Sequence, residues 1–333
     1  MTRVRIVAEA GVNHNGDLQR AIDLIHAAKE AGADVVKFQA FTAQKTVTKA
    51  AATAAYQAAN TGEHSQFRLI SQLEIAESGF EVLAQVCREV DIAFLATPFD
   101  LELLPFLCSL GMPAIKIASG EATNTVALRR VAPLGLPIWL STGMCSLQEV
   151  SAALHLLGSA GAQEVVILHC TSLYPAPPST LNLRALTTLR NTFGRSVGLS
   201  DHSLGTTASV AAVALGAELI EKHITLDKRL EGPDHAASLE PSEFREMVRQ
   251  IRALEPMLGD GEKRAAEGEE AVARLVRRSW HAARTIPKGS VIRAEDLSLL
   301  RPAEGLPPGL DPSGQVALRE VGSGSPIKAN DVA

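Results

Sequence analysis

The feature that most constrains the fold is an alternation. Eight short runs rich in Val, Ile, Leu and Ala recur at 4–10, 34–40, 92–98, 114–119, 137–142, 164–170, 197–202 and 219–225. Ala/Leu-rich segments separate them, and these have helical spacing. In 18–31, for example, Leu18, Ile22, Ile25 and Ala28 share one helix face, and Gly32 ends the segment. Eight strand–helix repeats are the pattern of a (β/α)8 TIM barrel, an α/β fold with parallel strands inside and helices outside. A doubly wound open sheet is the other reading. It wants a G-x-G-x-x-G turn after the first strand, where this chain has Glu9-Ala10-Gly11-Val12-Asn13-His14.

The pattern stops before the chain does. Residues 1–261 hold the barrel, whose last helix is expected over 242–258 with Ser242 as N-cap. Residues 262–278 are charged and Ala/Glu-rich, a linker that is helical in part. From 279 to 333 the texture is short β-like runs with Pro and Gly. Lys288-Gly289-Ser290-Val291-Ile292 followed by Glu295-Asp296-Leu297 recurs as Ser323-Gly324-Ser325-Pro326-Ile327 followed by Asn330-Asp331-Val332. A module of two related turns this small has a marginal core. Within the barrel the one long interruption is 42–74, either an active-site flap or an ordinary surface excursion.

Composition narrows the partners. Of the 333 residues 46% are hydrophobic, enough for a large core, and the net charge is −5 with both signs interspersed. Aromatics are 4% and accompany no basic stretch, which argues against nucleic acid. The start MTRVRIVAEAG has no signal-peptide core, and no apolar run is long enough for a membrane span. Cys87, Cys108, Cys145 and Cys170 lack metal spacing and read as reduced cytoplasmic thiols.

In a barrel of this type chemistry sits at the strand ends. Those ends carry Glu9 with Asn13 and His14, Lys37 with Gln39, Thr97, Lys116 with Ser119 and Glu121, Ser141, His169 with Thr171, Ser172 and Tyr174, Ser200 with His202, and His223. A single Ser or Thr there is more often a turn former than a ligand. Lysine within an apolar strand is different. Lys37 lies between Val36 and Phe38, and Lys116 between Ile115 and Ile117. Buried lysines need a partner, so both are expected to face an anion, with hydroxyls completing a phosphate cradle. His202 and His223 close the last two strands and could hold a divalent metal that polarises a carbonyl. Glu9 and Glu121 could move protons. The residues alone therefore describe a metal-assisted barrel enzyme for a phosphorylated or anionic small molecule.

The stretches AEAGVNHNGD, GADVVKFQAF, ATPFD, PAIKIASGE, LSTGM, LHCTSLYPAP, VGLSDHSLG, VALGAELIEKHIT and GPDHAASLEP resemble the N-acetylneuraminate (sialic acid) synthase family, in order along almost the whole chain. Residues from Arg278 onward resemble that family's antifreeze-like (SAF, β-clip) domain. The resemblance implies condensation of phosphoenolpyruvate with the open-chain aldehyde of N-acetylmannosamine, giving N-acetylneuraminate and phosphate by C–O cleavage. A 2,4-diacetamido-2,4,6-trideoxy-mannose, giving a legionaminic-type acid, is the alternative substrate. Mn2+ or Mg2+ is implied, with His202 and His223 as ligands. Lys37, Thr97, Lys116, Ser119, Ser141, Ser172 and Ser200 match phosphoenolpyruvate-binding positions. At Ser172 some members have Asn. Glu9, Gln39, Glu121, Tyr174 and Asp234 match sugar-side and acid/base positions, with Glu121 the first choice for the attacking water's proton and Glu9 the second. Arg301 matches an arginine supplied by the partner subunit of a homodimer with swapped C-terminal domains. Another phosphoenolpyruvate-dependent barrel synthase making a 3-deoxy sugar acid phosphate is disfavoured by the SAF-like tail. A two-histidine barrel hydrolase wants H-x-H where Glu9-Ala10-Gly11 stands. A sugar-binding protein using the tail alone leaves the strand lysines without purpose.

Overall fold

The computed structural model describes residues 3–333. The chain divides into two compact units, Met1–Asp260 and Gly261–Ala333. In the first, the strands are β1 (Arg5–Gly11), β2 (Val35–Ala40), β3 (Ala93–Pro98), β4 (Ile115–Ile117), β5 (Ile138–Ser141), β6 (Val165–Cys170), β7 (Val197–Asp201) and β8 (Leu219–His223). Each falls inside its expected run except β1, which runs one residue past it to Gly11. They form one sheet in the order β3-β2-β1-β8-β7-β6-β5-β4, with every recorded pairing parallel. β3 and β4 lie against each other and close the ring. All the strands therefore end at one mouth.

The period of two decides what faces that mouth. In β8, Glu221 and His223 point one way and Lys222 the other. Lys222 is fully buried and pairs with Asp201 at 2.9 Å, while Asp201 also accepts the Ser203 and Ser209 hydroxyls at 2.6 and 2.7 Å. That ion pair ties β7 and β8 to the helix Thr207–Ala214, behind the barrel wall.

Two helices differ in detail from expectation. In Leu18–Glu30 the fully buried face is Ala21, Leu24, Ile25 and Ala28, with Leu18 and Ile22 at its edge. Asp17 caps it by accepting from the Gln19 and Arg20 N–H groups. The last barrel helix is Pro241–Leu254, capped by Glu240 and not by Ser242. Proline suits the first helical position, where no N–H is needed, and Glu243 reaches back to the Glu240 N–H. The 42–74 segment carries three short helices, Ala43–Thr46, Ala55–Thr61 and Gln66–Ser71. Leu69 of the third helix joins Val12, Phe41 and Leu73 in a separate cluster, with Ile70 and Phe99 packed on it.

The second unit begins with a helix, Glu269–Val276, within the expected linker. β9 (Ser279–Ala282) and β10 (Leu297–Leu300) pair antiparallel. Its core is Ala282, Ile286, Ile292, Leu306, Ala317, Val321 and Ile327. The sequence repeat is a structural one. Asp296 and Asp331 each close a 3-10 turn by accepting the N–H of Arg293 and Lys328, at 2.8 Å in both, and each pairs with an arginine twelve residues earlier, Arg284 and Arg319.

Candidate active site

Residues from seven strands meet inside the mouth. Lys37 Nζ lies 3.1 Å from Glu9 Oε2 and 3.4 Å from Glu221 Oε2, and donates to Thr97 Oγ1 at 3.1 Å. Lys116 Nζ donates to Ser141 Oγ at 2.7 Å and lies 3.9 Å from Glu221 Oε1. Ser200 Oγ donates to the same Glu221 oxygen at 2.9 Å. Gln39 Nε2 donates to Glu9 Oε1 at 3.1 Å. A bulge in β1 after Glu9 makes this possible, because a Cβ on Gly11, at φ +54°, would sit 3.2 Å from Glu9 Oε1 and 3.3 Å from Gln39 Nε2.

The lysines do face an anion, but part of it is internal. Glu221 was not among the residues expected at the site, although it belongs to the same β8 face as His223. Burial pushes its carboxyl up, but Lys116, Lys37 and the Ser200 hydroxyl outweigh that and hold it at about 2. Burial raises Glu9 above the usual carboxylate range, against the pull of Lys37 and with repulsion from Glu221. The two lysines also differ. Burial works against the Lys37 charge, yet two close carboxylates raise it overall. For Lys116, with one carboxylate 3.9 Å away, burial wins and lowers it. Lys116 is thus the cation with more to gain from an incoming anion.

Beside this cluster the Ser119 and Ser172 hydroxyls converge over Gly143. A Cβ there would meet them at 2.9 and 2.3 Å, and the Gly143 N–H donates to Ser119 Oγ at 2.9 Å. Further along the mouth three rings gather. His202 and His223 have centroids 5.5 Å apart, and Tyr174 lies 4.1 Å from the first and 5.9 Å from the second. His202 Nδ1 donates to the Thr171 carbonyl at 2.8 Å, so Nε2 carries the lone pair and accepts from the Tyr174 hydroxyl at 3.1 Å. Cys170 Sγ, also unforeseen, lies 3.7 Å from Nδ1. His223 Nδ1 is buried without a partner, and burial, reinforced by His202 and Lys37, keeps this imidazole neutral well below its usual range.

The other expected residues are dispersed. Asp234 follows β8, is buried, and its Oδ1 has no partner. Asn13 bridges the loops by donating to the Ile224 carbonyl at 2.8 Å and to Ser238 Oγ at 2.9 Å. His14 turns inward, accepting the Gly16 N–H at Nδ1, and His169 donates to the Leu181 carbonyl. Glu121 stays half-buried on the turn after β4, accepting from Asn124 at 2.6 Å. Arg301 is exposed on the second unit.

Burial, then repulsion from Glu9, raises Asp234 from 3.8 to about 6. This gives a stability prediction. A raised carboxyl favours the fold fully below the unfolded-state value, and that contribution is lost as pH rises through about 6. Asp234→Asn never pays the ionisation cost. Relative to wild type it should gain up to about 3 kcal/mol between pH 4 and pH 7 in urea unfolding. A difference independent of pH would contradict the raised carboxyl.

Fold and site together define a parallel-barrel enzyme with an anion cradle and an imidazole pair at the C-terminal mouth. Residues 24–263 match the model of the NeuB family, and 277–333 match the SAF domain. The N,N'-diacetyllegionaminic acid synthase of Legionella pneumophila is 46% identical over 91% of this chain and 86% of its own. That of Campylobacter jejuni is 45% identical over 92% of each. A sialic acid synthetase structure from Leptospira borgpetersenii superposes with a TM-score of 0.74 at 34% identity, over 81% of this chain and 90% of that one. The chain belongs to the NeuB family, and it is a phosphoenolpyruvate-dependent condensing enzyme of the sugar acid synthase type.

Proposed function

We propose that this enzyme condenses phosphoenolpyruvate with 2,4-diacetamido-2,4,6-trideoxy-mannose to give a diacetyllegionaminic-type acid and phosphate. The observation that carries the reading is a mouth with two unlike halves. One half is the Lys37, Lys116 and hydroxyl cradle; the other, past His223 and Gln39, is a cavity of about 240 Å3 whose wall mixes polar groups with an apolar patch of Phe41, Leu69 and Leu73. The relatives at 46% and 45% identity bear the legionaminic name, which favours this sugar over N-acetylmannosamine.

Lys37, Lys116, Thr97, Ser119, Ser141, Ser172 and Ser200 hold the phosphate and carboxylate. C3 of phosphoenolpyruvate bonds to the aldehyde carbon, and positive charge develops at C2. Water adds to C2 and gives up a proton. The C2–O bond to phosphate then breaks as the 2-keto group forms. Glu9, beside Lys37 and raised by burial, takes the water's proton; Glu121, held at the rim by Asn124, is less well placed. Asp234, near 6, protonates the former aldehyde oxygen.

A divalent ion, Mn2+ or Mg2+, fits the imidazole pair in its donor chemistry. His202 has its Nδ1 proton committed to a backbone carbonyl, and His223 is neutral with an orphaned nitrogen. Among the described residues no group of three His, Cys, Asp or Glu side chains is arranged to hold a metal. His202 and His223 would hold it, and the chemistry it would supply there is polarisation of the aldehyde oxygen.

Phosphate release from phosphoenolpyruvate with Mn2+ and a panel of N-acylated mannose-type sugars tests the substrate. The diacetamido sugar should give the highest kcat/KM. A preference for N-acetylmannosamine or its 6-phosphate would overturn the assignment.

The resemblance also supports a homodimer in which Arg301 serves the neighbouring barrel. Co-expressing His202→Ala and Arg301→Ala chains should then restore activity in mixed dimers. One site in each combines an intact barrel with an intact arginine. Mixed dimers as inactive as either parent would refute the exchange.

A further inference from the structure

The apolar cavity beside His223 contains a detail that the proposed chemistry does not use. Its wall includes Phe41, Leu69 and Leu73, from the hydrophobic cluster beneath the 42–74 segment. Gln57, on the short helix Ala55–Thr61 of that segment, lines the same space. Gln57 Oε1 is buried and has no hydrogen-bond partner, as is Asp234 Oδ1, which belongs to another residue of the lining. A buried acceptor without a donor is costly, and such groups at a cavity are satisfied by what enters it. The segment is held over the mouth. Tyr56 stacks on Tyr174 with centroids 5.2 Å apart, and Asn60 Nδ2 donates to the Pro233 carbonyl at 2.9 Å, next to Asp234.

The part of an occupant that meets Phe41, Leu69 and Leu73 must offer apolar surface, with a donor beside it for Gln57 Oε1. A hydroxyl-rich sugar tail leaves its own oxygens unmatched against Phe41, Leu69 and Leu73. An acylamino group brings one N–H and one methyl, which suits the Gln57 acceptor beside the apolar patch, while Asp234 Oδ1 is left for the reacting end of the sugar. We propose that Gln57 is a specificity-determining residue. Its Oε1 accepts the N–H of the sugar's second acylamino group, and the Phe41/Leu69/Leu73 wall receives that group's methyl. This rests on the proposed diacetamido substrate.

The test is the ratio of kcat/KM for the diacetamido sugar to that for N-acetylmannosamine, measured with saturating phosphoenolpyruvate. Gln57→Leu keeps size but removes the acceptor, and the ratio should fall at least about tenfold, mainly through KM of the diacetamido sugar. Gln57→Glu retains an acceptor oxygen and should keep the ratio within about threefold of wild type. If Gln57→Leu leaves the ratio unchanged while wild type prefers the diacetamido sugar, this inference fails and the proposed function stands. If Gln57→Leu and Gln57→Glu lower the ratio alike, or raise KM for both sugars and phosphoenolpyruvate together, Gln57 is only structural and the inference is overturned. If wild type does not use the diacetamido sugar, the functional reading itself is wrong, and the inference falls with it.

Discussion

Glu221→Gln is expected to lose about 3 kcal/mol of stability in the absence of ligand, because it leaves buried ammonium groups undercompensated. Glu221 lies within 4 Å of both Lys37 and Lys116, and the Ser200 hydroxyl fixes it there. Without its charge, Lys37 keeps Glu9, but Lys116 keeps only neutral oxygens from Ser141 and the Ile117 carbonyl. The same change should act oppositely on anion binding. In wild type an incoming phosphate must share the lysines with Glu221; in the variant it need not. Phosphoenolpyruvate should therefore stabilise the variant more than the wild type in a ligand-dependent melting series. Equal stability of the free proteins, with equal shifts on adding phosphoenolpyruvate, would show that Glu221 is not the cradle's counter-ion.

Removing either imidazole should abolish turnover, by a factor of about a thousand or more. The effects have separate structural origins. His202 is oriented by the Thr171 carbonyl, so His202→Ala removes an imidazole whose tautomer is set and which is proposed to hold the ion. His223 is buried and neutral, so it can bind a cation without first losing a proton. Mn2+ titration by calorimetry should show weakened binding in both alanine variants, and chelated wild type should recover activity when Mn2+ returns. Full activity after exhaustive chelation, or unaltered Mn2+ binding in both variants, would remove the ion from this site.

The barrel was legible because β-rich runs and helical segments alternate eight times, and repetition corrects small errors of boundary. The burial of Lys37 and Lys116 was legible because lysine between apolar strand neighbours is a strong signal. What the lysines meet was not. In Glu221-Lys222-His223 the alternation places Glu221 beside His223 on the inner face and sends Lys222 outward to Asp201. That period of two was the available clue to Glu221. Ser242 has N-cap chemistry, but Pro241 takes the first helical position and Glu240 the cap, so the helix starts ahead of the serine. Gln57 had no signal at all. It lies in a stretch without periodicity, and only packing of the segment against Tyr174 and Pro233 brings it to the cavity. The resemblance to sialic acid synthases gave the reaction class, while the choice of sugar rests on the cavity wall and the relatives.

The central claim is carbon–carbon bond formation with loss of phosphate by C–O cleavage at the Lys37/Lys116 cradle. It is tested most directly with phosphoenolpyruvate carrying oxygen-18 in its bridging position, incubated with Mn2+ and the diacetamido sugar and followed by mass spectrometry. The account predicts one phosphate per sugar consumed, all of the label in phosphate, and a nine-carbon 2-keto acid without it. Label retained in the organic product, or pyruvate formed in place of that acid, would contradict it.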